Sequence, residues 1–160
     1  MSLELLVVRH AIAEERRPGL DEGDRVLTDD GRERFEREVQ ALVSTELRLD
    51  LVLTSPWVRA RQTAELLAPI TEGEVAETEL LLGTPTRQLL ELLPDGQRVA
   101  VVGHEPWLSE LIAALTTGQL ELSGAFALKK GGMAWLAGEI ATGMTLKAFL
   151  PPKLLRGWAG

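Results

Sequence analysis

The sequence contains no cysteine among its 160 residues. This absence excludes disulfide bonds, catalytic thiolates and zinc sites built on cysteine. Histidine is nearly as scarce, and with two histidines a metal site is not expected. The glycine-rich loops that bind nucleotides are also missing, so we expect no cofactor. No apolar stretch approaches the ~20 residues of a membrane span, so we expect no membrane partner.

Basic residues are outnumbered by acidic ones, and the net charge of −7 argues against a nucleic-acid surface. The segment Met1–Glu4 has neither the basic region nor the apolar core of a secretory signal, so we expect a cytoplasmic protein. A hydrophobic fraction of 45% is sufficient for a core. We expect residues 1–160 to form one domain, while the oligomeric state is not indicated.

Three short apolar runs have the length of buried strands. They are Leu3–Val8, Leu51–Leu53 and Val99–Val102. Continuous apolar runs are typical of parallel strands that are covered on both faces. Because helical patterns alternate with these runs, the sequence predicts an α/β fold, a three-layer α/β/α sandwich with a mainly parallel central sheet.

A helix-start signal follows each of the three predicted strands. Thr28 is a predicted helix cap, and Ser55 is another, with Pro56 at the first helical position. Pro106 is predicted to open a third helix, and a shorter one is expected over Thr86–Leu93.

The C-terminal part has shorter apolar runs separated by glycine turns. Phe126–Leu128, Met133–Leu136 and Thr145–Leu150 are predicted to be strands on an antiparallel edge of the sheet. The turn Lys129–Gly132 separates the first two. For Trp158 the sequence leaves two alternatives, a tail that docks on the body or a loose tail.

The two histidines, His10 and His104, each follow a predicted strand directly. Arg9 precedes the first of them, and Arg59 lies in the first turn of the helix after the second strand. Carboxyl ends of parallel strands share one edge, so we expect these four side chains to converge there. Two guanidinium groups and two imidazoles beside helix N-termini suit a tetrahedral phosphoryl group. A neutral imidazole near pH 7 is also able to attack phosphorus.

Taken singly, these residues have simpler interpretations. His104 alone would be a structural histidine, Arg59 alone a solvated helix charge, and His10 alone a polar loop residue. Their joint position at strand-to-helix junctions favours a phosphate site over those interpretations. Trp57 and Trp107, each one step after a proline, are expected in the core or in the pocket wall.

Four sequence blocks in this order resemble the histidine phosphatase superfamily, which has the phosphoglycerate-mutase-like fold. They are Arg9–Ala11, Leu27–Gly31, Thr54–Thr63 and Val102–Pro106, and they span about two-thirds of the chain. The Ser-Pro-x-x-Arg-Ala-x-Gln-Thr pattern together with Gly-His-Glu-Pro makes the resemblance specific.

The resemblance implies a role for each member of the cluster. His10 would be the phosphorylated nucleophile, Arg9 and Arg59 would bind the phosphate, and His104 would be the second histidine of the pocket. Ala11 stands where the family has glycine, which a backbone with negative φ tolerates.

Within the superfamily the short chain is most similar to the SixA-type phosphohistidine phosphatases. Only 44 residues separate Arg59 from His104, which leaves little room for a lid. The resemblance therefore implies metal-independent hydrolysis of phosphohistidine on a protein. The alternatives are a phosphatase of small phosphorylated metabolites and a non-catalytic phosphoprotein-binding module. The general acid stays open, with Glu77, Glu79 and Glu105 as candidates.

Overall fold

Six strands form one central sheet in the computed structural model, which describes residues 2–159. The strands are β1 (Leu3–Arg9), β2 (Leu49–Thr54), β3 (Thr71–Glu77), β4 (Arg98–Gly103), β5 (Met133–Glu139) and β6 (Gly143–Leu150). Their order is β3-β2-β4-β1-β5-β6. The first four strands are parallel, and β5 pairs antiparallel with both β1 and β6. The predicted mainly parallel sheet with an antiparallel edge is confirmed.

Helices cover both faces of the sheet. They are α1 (Asp29–Val43), α2 (Val58–Leu66), α3 (Arg87–Glu91), α4 (Trp107–Thr116) and α5 (Pro152–Trp158), with 3₁₀ turns at Glu22–Asp24, Ala68–Ile70, Glu79–Leu81 and Leu120–Phe126. Strand β1 shows the layering, because Leu6 and Val8 pack with α1 and α2 while Leu5 and Val7 pack with α4 on the other face. The predicted α/β/α sandwich is confirmed. No helix within residues 2–159 combines the length and apolar character needed to cross a membrane.

The N-terminus of α1 lies directly against the segment that follows β1. Thr28 Oγ1 accepts a hydrogen bond of 2.9 Å from the Gly31 amide, as the predicted cap requires. A Cβ on Gly31 would lie 2.2 Å from the Ile12 carbonyl oxygen, so only glycine fits at this helix position. The Leu-Thr-x-x-Gly block therefore brings α1 against the backbone two residues beyond His10.

The predicted start of α2 is wrong by two residues. The helix begins at Val58, with Trp57 at the cap position and no side-chain capping bond. Ser55 is fully buried; its Oγ forms a hydrogen bond of 2.6 Å to His104 Nε2 and accepts a longer one, 3.3 Å, from the Trp57 amide. The Ser55 hydroxyl thus contacts the residue that follows the neighbouring strand β4, and a local capping pattern does not predict such a contact.

Three further differences lie in segments with weak apolar patterns. Phe126–Leu128 is not a strand, because the 3₁₀ turn Leu120–Phe126 ends there. Strand β3 was not predicted, and the C-terminal segment forms the helix α5. This helix packs on α1 through buried Leu155 and an ion pair of 3.1 Å between Arg156 and Glu38. The tail is therefore docked, although Trp158 itself is 60% exposed.

Candidate active site

The four predicted site residues meet at the carboxyl edge of the sheet. Arg9 ends β1 and His10 follows it, His104 follows β4, and Arg59 lies in the first turn of α2. All four line a cavity of about 560 Å³. The rings of His10 and His104 lie 5.2 Å apart between centroids. Adjacent parallel strands β1 and β4 produce this closeness, since Arg9 pairs with Gly103 in the register.

The hydrogen bonds of His10 define its tautomer. Nδ1 lies 2.7 Å from the Ala11 carbonyl oxygen, which can only accept, so Nδ1 carries the proton. Nε2 then carries no proton, and its lone pair accepts a bond of 3.3 Å from Arg59 Nε. The imidazole is thereby oriented with its nucleophilic nitrogen beside a guanidinium group.

Arg59 is 3% exposed and uses all three of its nitrogens. Besides the bond to His10, Nη1 donates to the Glu22 carbonyl at 2.6 Å and Nη2 to the Glu22 carboxylate at 2.9 Å. Its guanidinium carbon also lies 4.7 Å from the ring centroid of Trp57, a cation–π contact. Three of its five N–H donors are engaged, so two are left for a phosphoryl group.

His104 is held from one side and has a free nitrogen on the other. Its Nε2 lies 2.6 Å from Ser55 Oγ, and its Nδ1 is buried without a partner among the described residues. Trp57 and Trp107 pack around the ring, with centroids 4.7 and 6.2 Å away, and line the cavity as wall residues. If Ser55 donates to Nε2, the His104 Nδ1–H is available to an oxygen of a bound phosphoryl group.

Arg9 is anchored by the turn that precedes β5. Its Nη1 donates to the Leu128 carbonyl at 2.7 Å, and its Nε is buried without a partner among the described residues. The Gly131 amide bonds to the carbonyl oxygens of both Arg9 and His10. Gly131 has φ of 82°, a conformation that glycine adopts without strain. This glycine turn therefore positions the backbone of the Arg-His pair.

The remaining motif residues form the support of the cluster. Thr63 Oγ1 accepts from the Ala11 amide at 3.0 Å and donates to the Arg59 carbonyl at 2.7 Å. Gln62 Oε1 accepts from the Leu27 amide at 2.8 Å. No residue other than glycine has positive φ within residues 2–159, so Ala11 fits its place without strain. The Gln-Thr of the α2 block thus ties this helix to the segment after β1.

Charges of both signs line the cavity. Its cationic side chains are Arg9, Arg16, Arg25, Arg59 and Lys130, and its carboxylates are Glu15, Glu22 and Glu105. Glu22 binds Arg59 and Arg25 directly, a contact the sequence did not indicate. Burial alone would raise the pKa of Glu22, but the bond from Arg25 and the surrounding arginine charges outweigh it and lower the pKa. Within residues 2–159 no three acidic or histidine side chains cluster so as to hold a metal ion.

The structure does not position any of the three candidate acids, Glu77, Glu79 and Glu105, as a proton donor. Glu77 and Glu79 are exposed and lie outside the cavity, and Glu77 pairs with Arg61 at 3.4 Å. Glu105 lines the cavity, but its two carboxylate oxygens accept backbone N–H bonds from Ser109 at 2.7 Å and from Leu128 at 2.9 Å. Glu105 therefore acts here as an acceptor that supports the loop beside Arg9.

Both imidazoles are expected to stay neutral from pH 8 to pH 5. Burial, followed by the positive charges of Arg59, Arg9 and Lys130, lowers the pKa of His10 to about 3, although the bond to Ala11 opposes this. Burial also lowers the pKa of His104 far below its usual range. Because the chain has only two histidines, long-range ¹H–¹⁵N spectra will show two imidazoles, and neither should titrate in this interval. A midpoint near pH 6.5 for His10 would contradict the expected environment.

Comparison with known proteins agrees with this geometry. Residues 5–82 match the family model of the histidine phosphatase superfamily (branch 1). An uncharacterized protein of Picosynechococcus sp. is 35% identical over a 145-residue alignment that covers 81% of this chain and 86% of the relative. The protein histidine phosphatase SixA complexed with tungstate has a TM-score of 0.77 at 21% identity, over 95% of this chain and 99% of its own.

A second solved structure has the same fold. The phosphoserine phosphatase from Entamoeba histolytica in complex with 3-phosphoglyceric acid has a TM-score of 0.71 at 17% identity, over 96% of this chain and 99% of its own. At these identities the two structures show a shared fold. The 35% identical relative and the family model are, in contrast, matched by the amino-acid sequence.

Proposed function

The chain belongs to the histidine phosphatase superfamily, and from this membership and the geometry of the cavity we propose that it is a metal-independent phosphatase with His10 as its nucleophile. The observation that carries the proposal is the tautomer of His10. With the Nδ1 proton donated to Ala11, the Nε2 lone pair lies in the cavity beside Arg59. A module that only bound phosphate would not need this orientation of an imidazole.

The reaction proceeds in two displacements. His10 Nε2 forms a bond to phosphorus while the bond to the leaving group breaks, and the electron pair departs with that group. Water then attacks phosphorus, the P–N bond breaks with its electron pair returning to Nε2, and the proton of the water passes to phosphate or solvent. Arg9, Arg59 and the Nδ1–H of His104 neutralise the charge on the equatorial oxygens.

The leaving group points to the substrate class. A phosphate ester expels an alkoxide and needs an acid to protonate it, whereas phosphohistidine protonated on its free ring nitrogen leaves as neutral imidazole. Two of the carboxyl groups in the cavity are unsuited to donate a proton, because Glu105 is an acceptor of two N–H bonds and Glu22 is ion-paired with arginines. These contacts support phosphohistidine as the substrate.

Access to the cavity supports a protein substrate. None of residues 60–103, the interval between Arg59 and His104, lines the cavity. A phosphorylated side chain on another protein can therefore approach the open edge of the sheet. We propose phosphohistidine on a phosphorelay domain in the cytoplasm as the substrate.

A phosphatase of small phosphorylated metabolites is the second candidate, and Glu15 is the observation that favours it. This residue is exposed at the cavity and makes no ion pair with the other described residues. A carboxyl at that place is the candidate in the cavity for the acid that an ester leaving group requires. A Glu15→Gln variant that loses ester hydrolysis selectively would support this second function.

Comparison of two substrates tests the proposal. The protein is incubated with EDTA and either a phosphohistidine-carrying phosphotransfer domain or p-nitrophenyl phosphate, and released phosphate is measured. We expect a kcat/KM at least tenfold higher for the phosphohistidine domain. Higher activity on the ester would select the metabolite phosphatase, and no activity on either substrate would contradict an enzymatic function.

A further inference from the structure

A second cavity, of about 580 Å³, adjoins the catalytic one. We call it the basic groove; its cationic lining residues are Arg9, Arg34, Lys129, Lys130, Lys153 and Arg156. No carboxylate among residues 2–159 lines it. Arg9 and Lys130 line both cavities, so the groove continues directly from the phosphate site.

The charge of the basic groove contrasts with the rest of the molecule. The chain has a net charge of −7 and only four lysines, and three of those four lie in the groove. Arg34 is paired with Asp30 at 3.0 Å and Arg156 with the buried Glu38 at 3.1 Å. The three lysines are exposed, and no carboxylate of residues 2–159 lies within 4.0 Å of their ammonium groups.

We propose that the basic groove docks an acidic surface of the phosphoprotein substrate, next to its phosphohistidine. This inference rests on the proposed function and adds the chemistry of the partner's surface. The net charge of −7 repels an acidic partner, whereas the exposed lysines of the groove attract it, so the groove orients its approach. When the phosphoryl group lies between Arg9 and His10, the neighbouring surface of the partner covers Lys130 and extends toward Lys153.

A small substrate would not use this surface. A phosphorylated metabolite is contained in the catalytic cavity, whereas Lys129 and Lys153 line the basic groove alone. These two lysines are therefore expected to affect protein substrates and to leave small ones unaffected. Because neither side chain lines the catalytic cavity, a change at these two lysines separates docking from catalysis.

Charge reversal at Lys129 and Lys153 tests the proposal. The K129E/K153E variant is compared with the parent on an acidic phosphohistidine-carrying phosphotransfer domain and on phosphoramidate. We expect kcat/KM for the domain to fall about 10- to 100-fold, mainly through KM and less at high salt, with phosphoramidate hydrolysis unchanged within twofold. K147E is the control for a single charge reversal outside the groove, because Lys147 is exposed on β6 and lines neither cavity, and it should behave as the parent.

Binding without turnover separates this inference from the proposed function. Calorimetric titration of the unphosphorylated acidic domain into the parent and into K129E/K153E should show affinity lost in the variant, even if the parent hydrolyses neither substrate. Equal loss on the domain and on phosphoramidate, or no loss on the domain, would overturn the docking role. Tighter binding of inorganic polyphosphate than of the acidic domain would overturn the choice of a protein occupant.

Discussion

Replacing His10 with asparagine is expected to lower kcat/KM by about 10⁴-fold or more on every substrate that the protein hydrolyses. Asparagine keeps a polar group near Ala11 but has no lone pair able to attack phosphorus. The loss should appear in kcat, since Arg9 and Arg59 still bind the phosphoryl group. Steady-state kinetics on a phosphohistidine domain and on p-nitrophenyl phosphate measure it.

Two controls separate a nucleophile from a structural residue. Thermal unfolding of the asparagine variant should remain close to that of the parent, because the ring of His10 is replaced by a smaller polar group. A His10→Gly variant should regain part of its activity when imidazole is added, because free imidazole can occupy the space. Labelled phosphate trapped on the parent by a base quench should be found on His10. Label on His104 would show that His104, and not His10, is the nucleophile.

Replacing Arg59 with glutamine is expected to lower kcat/KM by about 10²- to 10³-fold. The variant loses the donor at His10 Nε2 and the two N–H groups available to the phosphoryl oxygens. It also leaves the carboxylate of Glu22 without its partner on α2, and this negative charge opposes an anionic substrate. Arg59→Lys should recover little, since a single ammonium cannot contact the imidazole and the phosphate together.

The same helix supplies the control for this prediction. Arg61, two residues further on, is about half exposed and pairs with Glu77, so Arg61→Gln should retain nearly full activity. Adding Glu22→Gln to the Arg59→Gln variant should restore part of the lost kcat/KM, because it removes a negative charge that has lost one of its three arginine partners. Equal losses in the Arg59 and Arg61 variants would show that the effect comes from α2 as a whole.

The sequence was most informative where apolar runs and polar motifs coincide. Strands β1, β2 and β4 are buried runs, and their parallel pairing brought Arg9, His10, Arg59 and His104 to one edge as predicted. The Thr28 cap follows from a local rule that needs no tertiary information. The roles of the four site residues remain predictions until the variants are measured.

Features that depend on distant partners were not predictable. Ser55 matched a helix-cap pattern, but its hydroxyl bonds to His104, which is 49 residues away in the chain. Glu22 lies in a polar loop without a motif, and only the folded chain shows that it pairs with Arg59. Strand β3 lacks an apolar run because most of its residues are exposed, and pairing with β2 alone defines it.

The composition of β3 also affects how the protein behaves in a crowded solution. As one of the two outer strands of the sheet, β3 has one edge on which the strand of a second molecule could add. Three exposed glutamates, Glu72, Glu74 and Glu77, occupy its seven residues. A second copy aligned on that edge would bring like charges together and meet electrostatic repulsion. These charges thereby protect this edge of the sheet against fibrous aggregation.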